Sequence, residues 1–358
     1  MAPELAAYAL TRPGAALARR LAQSPTLSAA LFLPRRLQPE GGGPAGAEYF
    51  DRLGECLARN FAKFKGHLII GACGLTVRLL APLLTSKKSD PAVVVLSQDG
   101  RFAISLLSGH LGGGNDLARR VAAVSGGQAV ITTATDGEGL PALEMLAADL
   151  GLEVEDFSKL PAVSRQLVEG AIVRVYDPFK YLSPRLEPWA DHFQLLAKAP
   201  EPGTGPNVRV DFRLGSEADP DALVLRPRVI TLGLGCHRRV ELDELEELIR
   251  RSLTEAGLAL KSVAALATVE TRAGEPSLLA LSRKLGRPLL AYPKAELSRV
   301  RTPNPSAKVM EHIGLPSVCE AAALLAAGTG RLIINKRKSG RATLAAALKM
   351  VERDGLRT

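Results

Sequence analysis

Short apolar runs of strand length alternate with amphipathic helical stretches along most of this chain, and the connections between them are brief. That alternation points to parallel or mixed sheets covered by helices, an α/β architecture. Ala7 to Leu10, Leu27 to Leu33 and His67 to Cys73 read as strands. Phe50, Leu53, Leu57, Phe61 and Phe64 recur at spacings of three and four, one face of a helix. Helices are also expected at Ala15 to Ala22, Leu75 to Leu84 and about Asn115 to Ser125. Ala92 to Leu96 and Phe102 to Leu107 flank an Asp99-Gly100 turn, a hairpin signal, and Ala129 to Thr133 follows as a strand. The pattern restarts at Val229 to Leu234, with helices at Leu242 to Leu253, Pro276 to Leu285 and Val318 to Ala327. Strands at Ser262 to Ala267, Leu289 to Tyr292 and Leu332 to Asn335 alternate with them. The expected fold is two α/β domains with central mostly parallel or mixed sheets, joined by a smaller α/β middle domain.

Charge divides the 358 residues in the same way. Residues 1–140 hold 15 basic and 10 acidic side chains, 141–226 hold 9 and 14, and 227–358 hold 22 and 13. The second break coincides with the Pro-rich stretch Pro200 to Pro227. Domains are therefore expected at 1–138, 139–226 and 227–358. The hydrophobic fraction of 46% supplies a sizeable core and excludes disorder for most of the chain. The net charge of +9 favours anionic partners. An aromatic content of 4% argues against a single-strand nucleic-acid binder, which stacks bases on aromatic rings. Cys56, Cys73, Cys236 and Cys319 are far apart with no CxxC pair, so free thiols in a reducing compartment are expected. No signal peptide is read, and no run approaches the roughly 18 to 20 apolar residues of a membrane helix. The expected location is the cytoplasm.

Five stretches carry candidate chemistry. In "LLSGHLGGGND", residues 106–116, an apolar strand runs through Ser108 and His110 into Gly112, Gly113 and Gly114, and then Asn115 opens a helix. Glycines let a backbone turn sharply, and the first amides of a helix are unused donors, so the stretch offers an anion or oxyanion site. The plain alternative is a tight turn capped by Asn115 or Asp116. It matches neither the Walker loop nor GxGxxG. In an extended segment Ser108 and His110 point the same way, which invites a nucleophile–base pair, although His110 reads better as a general acid/base. The string "ITTATD" at 131–136 places Thr133, Thr135 and Asp136 at a strand's carboxyl end, where open α/β sheets hold ligands. Arg78, Lys87 and Lys88 suit carboxylate recognition or a plain solvated face. "GLGCHRR" at 233–239 brings Gly235, Cys236, His237, Arg238 and Arg239 to a helix start. There Cys236 is a candidate thiol, while the arginines equally suit binding alone. Finally "TPNPS" presents Asn304 and Ser306, with Glu320 and Lys336 further on, or is a simple connection.

The run from Gly74 to Asp136, with "LLSGHLGGGND" and "TTATD" inside it, resembles the amino-terminal domain of the cobalamin biosynthesis protein CbiG family, the cobalt-precorrin-5A hydrolases. Gly233 to Cys236, "LAT" at 266–268, Glu275 to Leu279, "NPS" at 304–306, "SVCEAAALLAAG" at 317–328 and Lys336 resemble that family's carboxyl-terminal domain. The chain departs from the family's usual residues at His237-Arg238-Arg239, Gly114 and Arg272. The resemblance implies opening of the ring A δ-lactone of cobalt-precorrin-5A and release of acetaldehyde, giving cobalt-precorrin-5B in anaerobic vitamin B12 synthesis. It implies cobalt-precorrin-5A and water as partners, other enzymes of the pathway as candidate partners, and neither nucleic acid nor membrane. Cobalt travels in the substrate, so no cofactor and no protein metal site are expected.

For that chemistry His110, Asp136 and Ser108 are the catalytic candidates. Gly112, Gly113, Gly114, Asn115, Arg78, Lys88, Thr133, Thr135, Gly235, Arg238, Asn304, Ser306 and Lys336 are candidates for substrate binding. Two other readings use the same surfaces: a non-catalytic corrinoid or tetrapyrrole carrier of the pathway, and a nucleotide- or phosphate-binding α/β enzyme. The missing phosphate loops count against the second.

Overall fold

The computed structural model describes residues 3–40, 46–86, 89–199, 207–215, 221–304, 317–328 and 331–349. The chain forms two compact units, Met1–Met145 and Leu146–Thr358.

In the first unit, strands β1 (Leu5–Ala9), β2 (Ala29–Pro34), β3 (Ala47–Phe50), β4 (Gly66–Ile70), β5 (Ala92–Leu96), β6 (Phe102–Leu107) and β7 (Gln128–Val130) form one sheet in the order β3-β2-β1-β4-β5-β6-β7. All neighbours are parallel except the hairpin pair β5 and β6. Phe50, expected in a helix, ends the edge strand β3, and the helix starts at Leu53. Side-chain alternation splits each central strand between two cores. Leu5, Ala7, Leu68, Ile70, Val94 and Leu96 pack with helices α1 (Arg12–Ala22) and α4 (Gly114–Ser125). Ala6, Tyr8, Ile69, Val93 and Val95 pack with α2 (Leu53–Asn60) and α3 (Cys73–Leu80). Apolar residues on both faces are what a buried parallel strand requires, and β4 and β5 read that way in sequence.

The hairpin decides where the candidate site lies. Val93, in the first half of β5, pairs with Leu107, the last residue of β6. The turn after β6 therefore sits at the edge where β1, β4 and β5 begin. The carboxyl end of β7 lies at that same edge. The switch point of strand order between β1 and β4 opens at the opposite edge.

The second unit holds two five-stranded sheets. One has the order β10-β9-β11-β12-β8, built from β8 (Leu152–Val154), β9 (Val173–Tyr176), β10 (Phe193–Leu195), β11 (Asn207–Val210) and β12 (Leu223–Pro227), with only β8 antiparallel to its neighbour and helix α7 (Leu160–Val168) between β8 and β9 in the chain. The other runs β15-β14-β13-β17-β16, from β13 (Ile230–Cys236), β14 (Val263–Val269), β15 (Leu289–Tyr292), β16 (Leu332–Ser339) and β17 (Ala342–Leu348). Arg226 lies within β12, and the chain passes from one sheet to the other between Pro227 and Ile230. The sheets are tied by Arg287 and Arg228, which both donate to Glu153. On the second sheet α8 (Leu242–Glu255) and α9 (Pro276–Leu285) cover one face, and the small-residue helix running Val318–Ala327 covers the other. A Cβ on Gly233 would stand 1.8 Å from the Cys319 carbonyl oxygen, so that helix reaches β13 only over a glycine. No helix among the described residues is long and apolar enough to cross a membrane.

Candidate active site

Three short pieces meet at the edge described above. The first is the turn after β6. Ser108 has φ 55° and Gly113 has φ 79°, so the chain reverses within six residues and enters α4 with Gly113 at its N-cap. The left-handed Ser108 breaks the strand alternation that would have set its hydroxyl beside His110. Its Oγ instead donates to the Asp90 carbonyl at 2.8 Å. The Ser108–His110 pair is therefore corrected: Ser108 braces the turn against the approach to β5.

The glycine amides need a second correction. Gly113 N donates to the His110 carbonyl (2.7 Å), Gly114 N to that of Ser108 (2.9 Å) and Asn115 N to that of Gly109 (2.9 Å). These three close the turn and are not spare donors. Gly112 N–H has no such partner among the described residues. Neither Gly112 nor Gly114 tolerates a side chain. A Cβ would fall 2.3 Å from the Ser108 Cβ in the first case and 2.7 Å from the Leu107 carbonyl oxygen in the second.

The second piece is "ITTATD". The expected strand stops at Val130, and residues Ala134–Gly137 form a single helical turn, α5. One turn of helix brings residues three apart together, so Thr133 Oγ1 donates to Asp136 Oδ2 at 2.7 Å. The third piece is α6 (Leu143–Asp149), which carries Glu144 in its first turn.

His110 stands between the carboxylates of the last two pieces. Its Nδ1 is 2.7 Å from Glu144 Oε1 and its Nε2 is 3.1 Å from Asp136 Oδ2. Thr135 Oγ1 lies 3.3 Å from the same Nε2. Asp136 also accepts from Asn115 Nδ2 (2.9 Å) and from Arg119 Nη2 (2.6 Å). Asn115 Nδ2 reaches Thr133 Oγ1 as well, at 3.0 Å. The hydrogen bond that His110 donates to Glu144 raises the His110 pKa above the ordinary imidazole value, against desolvation, and Asp136 adds to the rise. Burial pulls the Asp136 carboxyl upward, but the bonds from Thr133, Arg119 and His110 outweigh it and hold the group below its usual range. His110 and Asp136 keep 22% and 20% of their side chains exposed, Glu144 only 8%. Small molecules can thus reach the imidazole and Asp136, while Glu144 stays largely dry.

The structure brings together His110, Asp136, Asn115, Thr133 and Thr135 of the expected residues, along with the glycine turn. Glu144 and Arg119 were not expected. Arg119 is signalled only as one basic residue on a helix beginning at the glycines, and Glu144 carries no signal, since no helix is expected over 143–149. Arg78 stays outside the cluster, its guanidinium bonded to the Gly74 carbonyl within α3. Lys87, Lys88 and Ser306 lie outside the described residues.

The other expected residues belong to the second unit. Glu320 is fully buried and accepts from Asn304 N (3.1 Å), Asn304 Nδ2 (2.7 Å) and Lys336 N (3.0 Å). It ties the 302–304 loop and β16 to the start of their helix. The Gly235 carbonyl accepts from Thr343 Oγ1, and the Arg238 side chain is exposed. Cys236 ends β13, six residues before α8, so no helix start activates it. Burial, with Glu275 adding, pushes its thiol up to about 11, which corrects the candidate-thiol reading. Among the described residues no group of three or more His, Cys, Asp or Glu is arranged to hold a metal ion.

Comparison with known proteins matches three successive stretches of the chain. Residues 55–136 match the description "Cobalamin synthesis G N-terminal", 141–227 "Cobalamin biosynthesis central region" and 230–347 "Cobalamin synthesis G C-terminus". The chain is 34% identical over 298 residues to a cobalt-precorrin-5A hydrolase of Priestia megaterium, covering 80% of this chain and 79% of that one. It is 32% identical over 330 residues to the cobalt-precorrin-5A hydrolase of Salmonella typhimurium strain LT2, covering 90% and 91%. The crystal structure of CobE, a protein from the cobalamin biosynthetic pathway, aligns with 36% of this chain and 94% of its own, at 35% identity and a TM-score of 0.33. With its N-terminal, central and C-terminal regions all matched in order, the chain belongs to the cobalamin synthesis G family.

Proposed function

We propose that this protein is a cobalt-precorrin-5A hydrolase, opening the ring A δ-lactone of its cobalt-bearing substrate and releasing acetaldehyde. The observation that carries the reading is His110: a partly open imidazole with Nδ1 on a buried carboxylate and Nε2 beside a second one, in a glycine turn of this family. Above its raised pKa His110 is neutral, with its proton on Nδ1 toward Glu144; water then adds to the lactone carbonyl, and its proton passes to Nε2, which donates to Asp136 while protonated. The carbonyl oxygen becomes an oxyanion, for which the Gly112 N–H, not used in closing the turn, is a candidate backbone donor. Collapse breaks the ester C–O bond, and the proton on His110 goes to the departing oxygen. The products of this step are a carboxylic acid, which ionises to solvent, and a hydroxyl. When that hydroxyl gives up its proton, its carbon and the attached methyl leave as acetaldehyde, and the electrons of the broken C–C bond pass to the macrocycle.

Asp136 is too fully donated to act as the base. It serves as a fixed counter-ion that holds Asn115, Thr133 and Arg119 around the imidazole. In this reading cobalt stays with the substrate, and the protein contributes no metal or cofactor of its own. Cytoplasmic action follows from the reducing, anaerobic setting of the chemistry.

The test is an anaerobic incubation of the purified protein with cobalt-precorrin-5A, trapping acetaldehyde and following the corrinoid mass. Stoichiometric acetaldehyde with the matching mass loss supports the hydrolase. Corrinoid that binds to folded protein and stays unchanged overturns it in favour of a carrier.

A further inference from the structure

The two carboxylates beside His110 are not equivalent. Asp136 spends its charge on three fixed donors, Asn115 and Arg119 from α4 and Thr133 before α5, and accepts from the imidazole only when Nε2 is protonated. Glu144 touches His110 alone: Oε1 meets Nδ1 at 2.7 Å, while Oε2 is buried with no partner among the described residues. A buried carboxylate oxygen without a donor is costly, so the group is held there by something other than its own hydrogen-bonding needs. Glu144 also lies on a different segment, 34 residues further along the chain, so local turn geometry does not account for the contact.

We infer that Glu144 is the positioning residue of this site: it fixes the Nδ1–H tautomer and the ring orientation of His110, leaving Nε2 as the nitrogen that exchanges its proton with substrate or water. Glu144 touches no reacting atom in this scheme and acts through the imidazole. The logic is that of a base oriented by a third group, in which a buried acceptor on one ring nitrogen selects the working one. The inference rests on His110 being the acid–base group of the proposed hydrolysis, and deepens that reading. The groups facing the ring are Glu144 from α6, Asp136 and Thr135 from α5 and, through Asp136, Arg119 from α4.

The test compares wild type, Glu144→Gln and Glu144→Asp in the full chain. Acetaldehyde release gives kcat and KM across pH, and long-range proton–nitrogen NMR of labelled histidine gives the His110 tautomer and titration. Glu144→Gln keeps the size of the side chain and removes its charge. It should lower kcat by about a hundredfold or more with KM nearly unchanged. It should also lower the His110 pKa, moving the rising limb of the pH profile to lower pH, and mix the tautomers. Glu144→Asp keeps the charge on a shorter side chain and should recover part of both effects. Wild-type kcat in Glu144→Gln overturns the inference. So does lost turnover with an unaltered tautomer and titration, because Glu144 would then only dock α6. If the wild type itself releases no acetaldehyde, the hydrolase reading fails, and the NMR comparison still decides whether Glu144 orients His110.

Discussion

His67 lies on a strand of the first unit's sheet and His110 in the turn that follows another strand of it, and the two have opposite chemistry. His67 sits on β4 with no exposed surface, among Tyr8, Phe61 and Phe64, its ring stacked on Phe61 at 5.4 Å between centroids. Its Nε2 lies 3.1 Å from the Phe61 carbonyl and its Nδ1 3.3 Å from Tyr8 Oη. A neutral ring protonated at Nε2 satisfies both partners, as donor to the carbonyl and acceptor from the phenol. Desolvation lowers its pKa to about 4. His110 is partly open and lies between two carboxylates, and its pKa is raised. Burial without counter-charge makes a histidine part of the core. Burial beside carboxylates, with some surface left open, makes it a proton carrier.

The sharpest way to break that contrast is to remove each ring. His110→Ala should lower acetaldehyde release by about 10²- to 10⁴-fold, the usual range for a lost general acid/base, while corrinoid affinity changes little. Equal loss of affinity and turnover would instead make His110 a binding residue.

The corresponding experiment on His67 reads stability. An unfolded chain protonates this histidine near 6.5 but the native state only near 4, so below 6.5 the unfolded state binds the extra proton. Stability of the first unit should therefore fall as pH drops from about 6.5 to 4, by about 3 kcal/mol from this group alone. His110 contributes with the opposite sign: its stabilisation is complete below the unfolded value and is lost as pH rises through its raised native pKa. Hydrogen exchange of the β4 amides at several pH values measures the slope, and His67→Gln should flatten it. An unchanged slope in that variant would remove His67 as its source.

How much of this was legible before the structure depends on what each residue answers to. Strand β5 and helices such as α4 and α8 follow from apolar runs and spacing and fall where those patterns place them, while β4 stops at Ile70 and Cys73, expected in that strand, opens α3. The glycine turn, His110 and Asp136 stood out because glycines and a strand end are local signals. Glu144 did not, because its role depends on α6 returning to the turn, a tertiary fact with no local trace. The Ser108–His110 pairing misleads for a related reason: strand alternation holds only while the backbone stays extended, and Ser108 is left-handed. Strand β17, "ATLAAAL", was missed because an alanine-rich run carries little strand preference, and antiparallel pairing with β13 and β16 overrides it. In the middle sheet the run Ala171 to Tyr176 reads as a strand and forms β9, but the rest carries no such signal, because four of the five strands span three or four residues, too few for a period to show.

Asp136→Asn gives a finer cut through the comparison, because it weakens one of the two charges that separate His110 from His67. Glu144 remains, so the imidazole keeps its orientation and part of its raised pKa. Turnover should fall by about tenfold, well short of the loss in His110→Ala, with the pH limb moved downward. A loss as large as that of His110→Ala would mean that Asp136 itself handles the transferred proton.

The smallest effect is expected at Ser108, and it separates two mechanisms. Were Ser108 an acyl-forming nucleophile, Ser108→Ala would abolish turnover and a corrinoid ester would accumulate on the wild-type protein in rapid-quench mass spectra. Its hydroxyl is committed to the Asp90 carbonyl, and the left-handed backbone turns it away from the imidazole. The substitution should therefore cost only that one hydrogen bond, about 1 kcal/mol of stability, and change kcat by less than about threefold. No added mass should appear on the protein during turnover. That result would leave water as the nucleophile and His110, set apart from His67 by its two carboxylates, as the group that activates it.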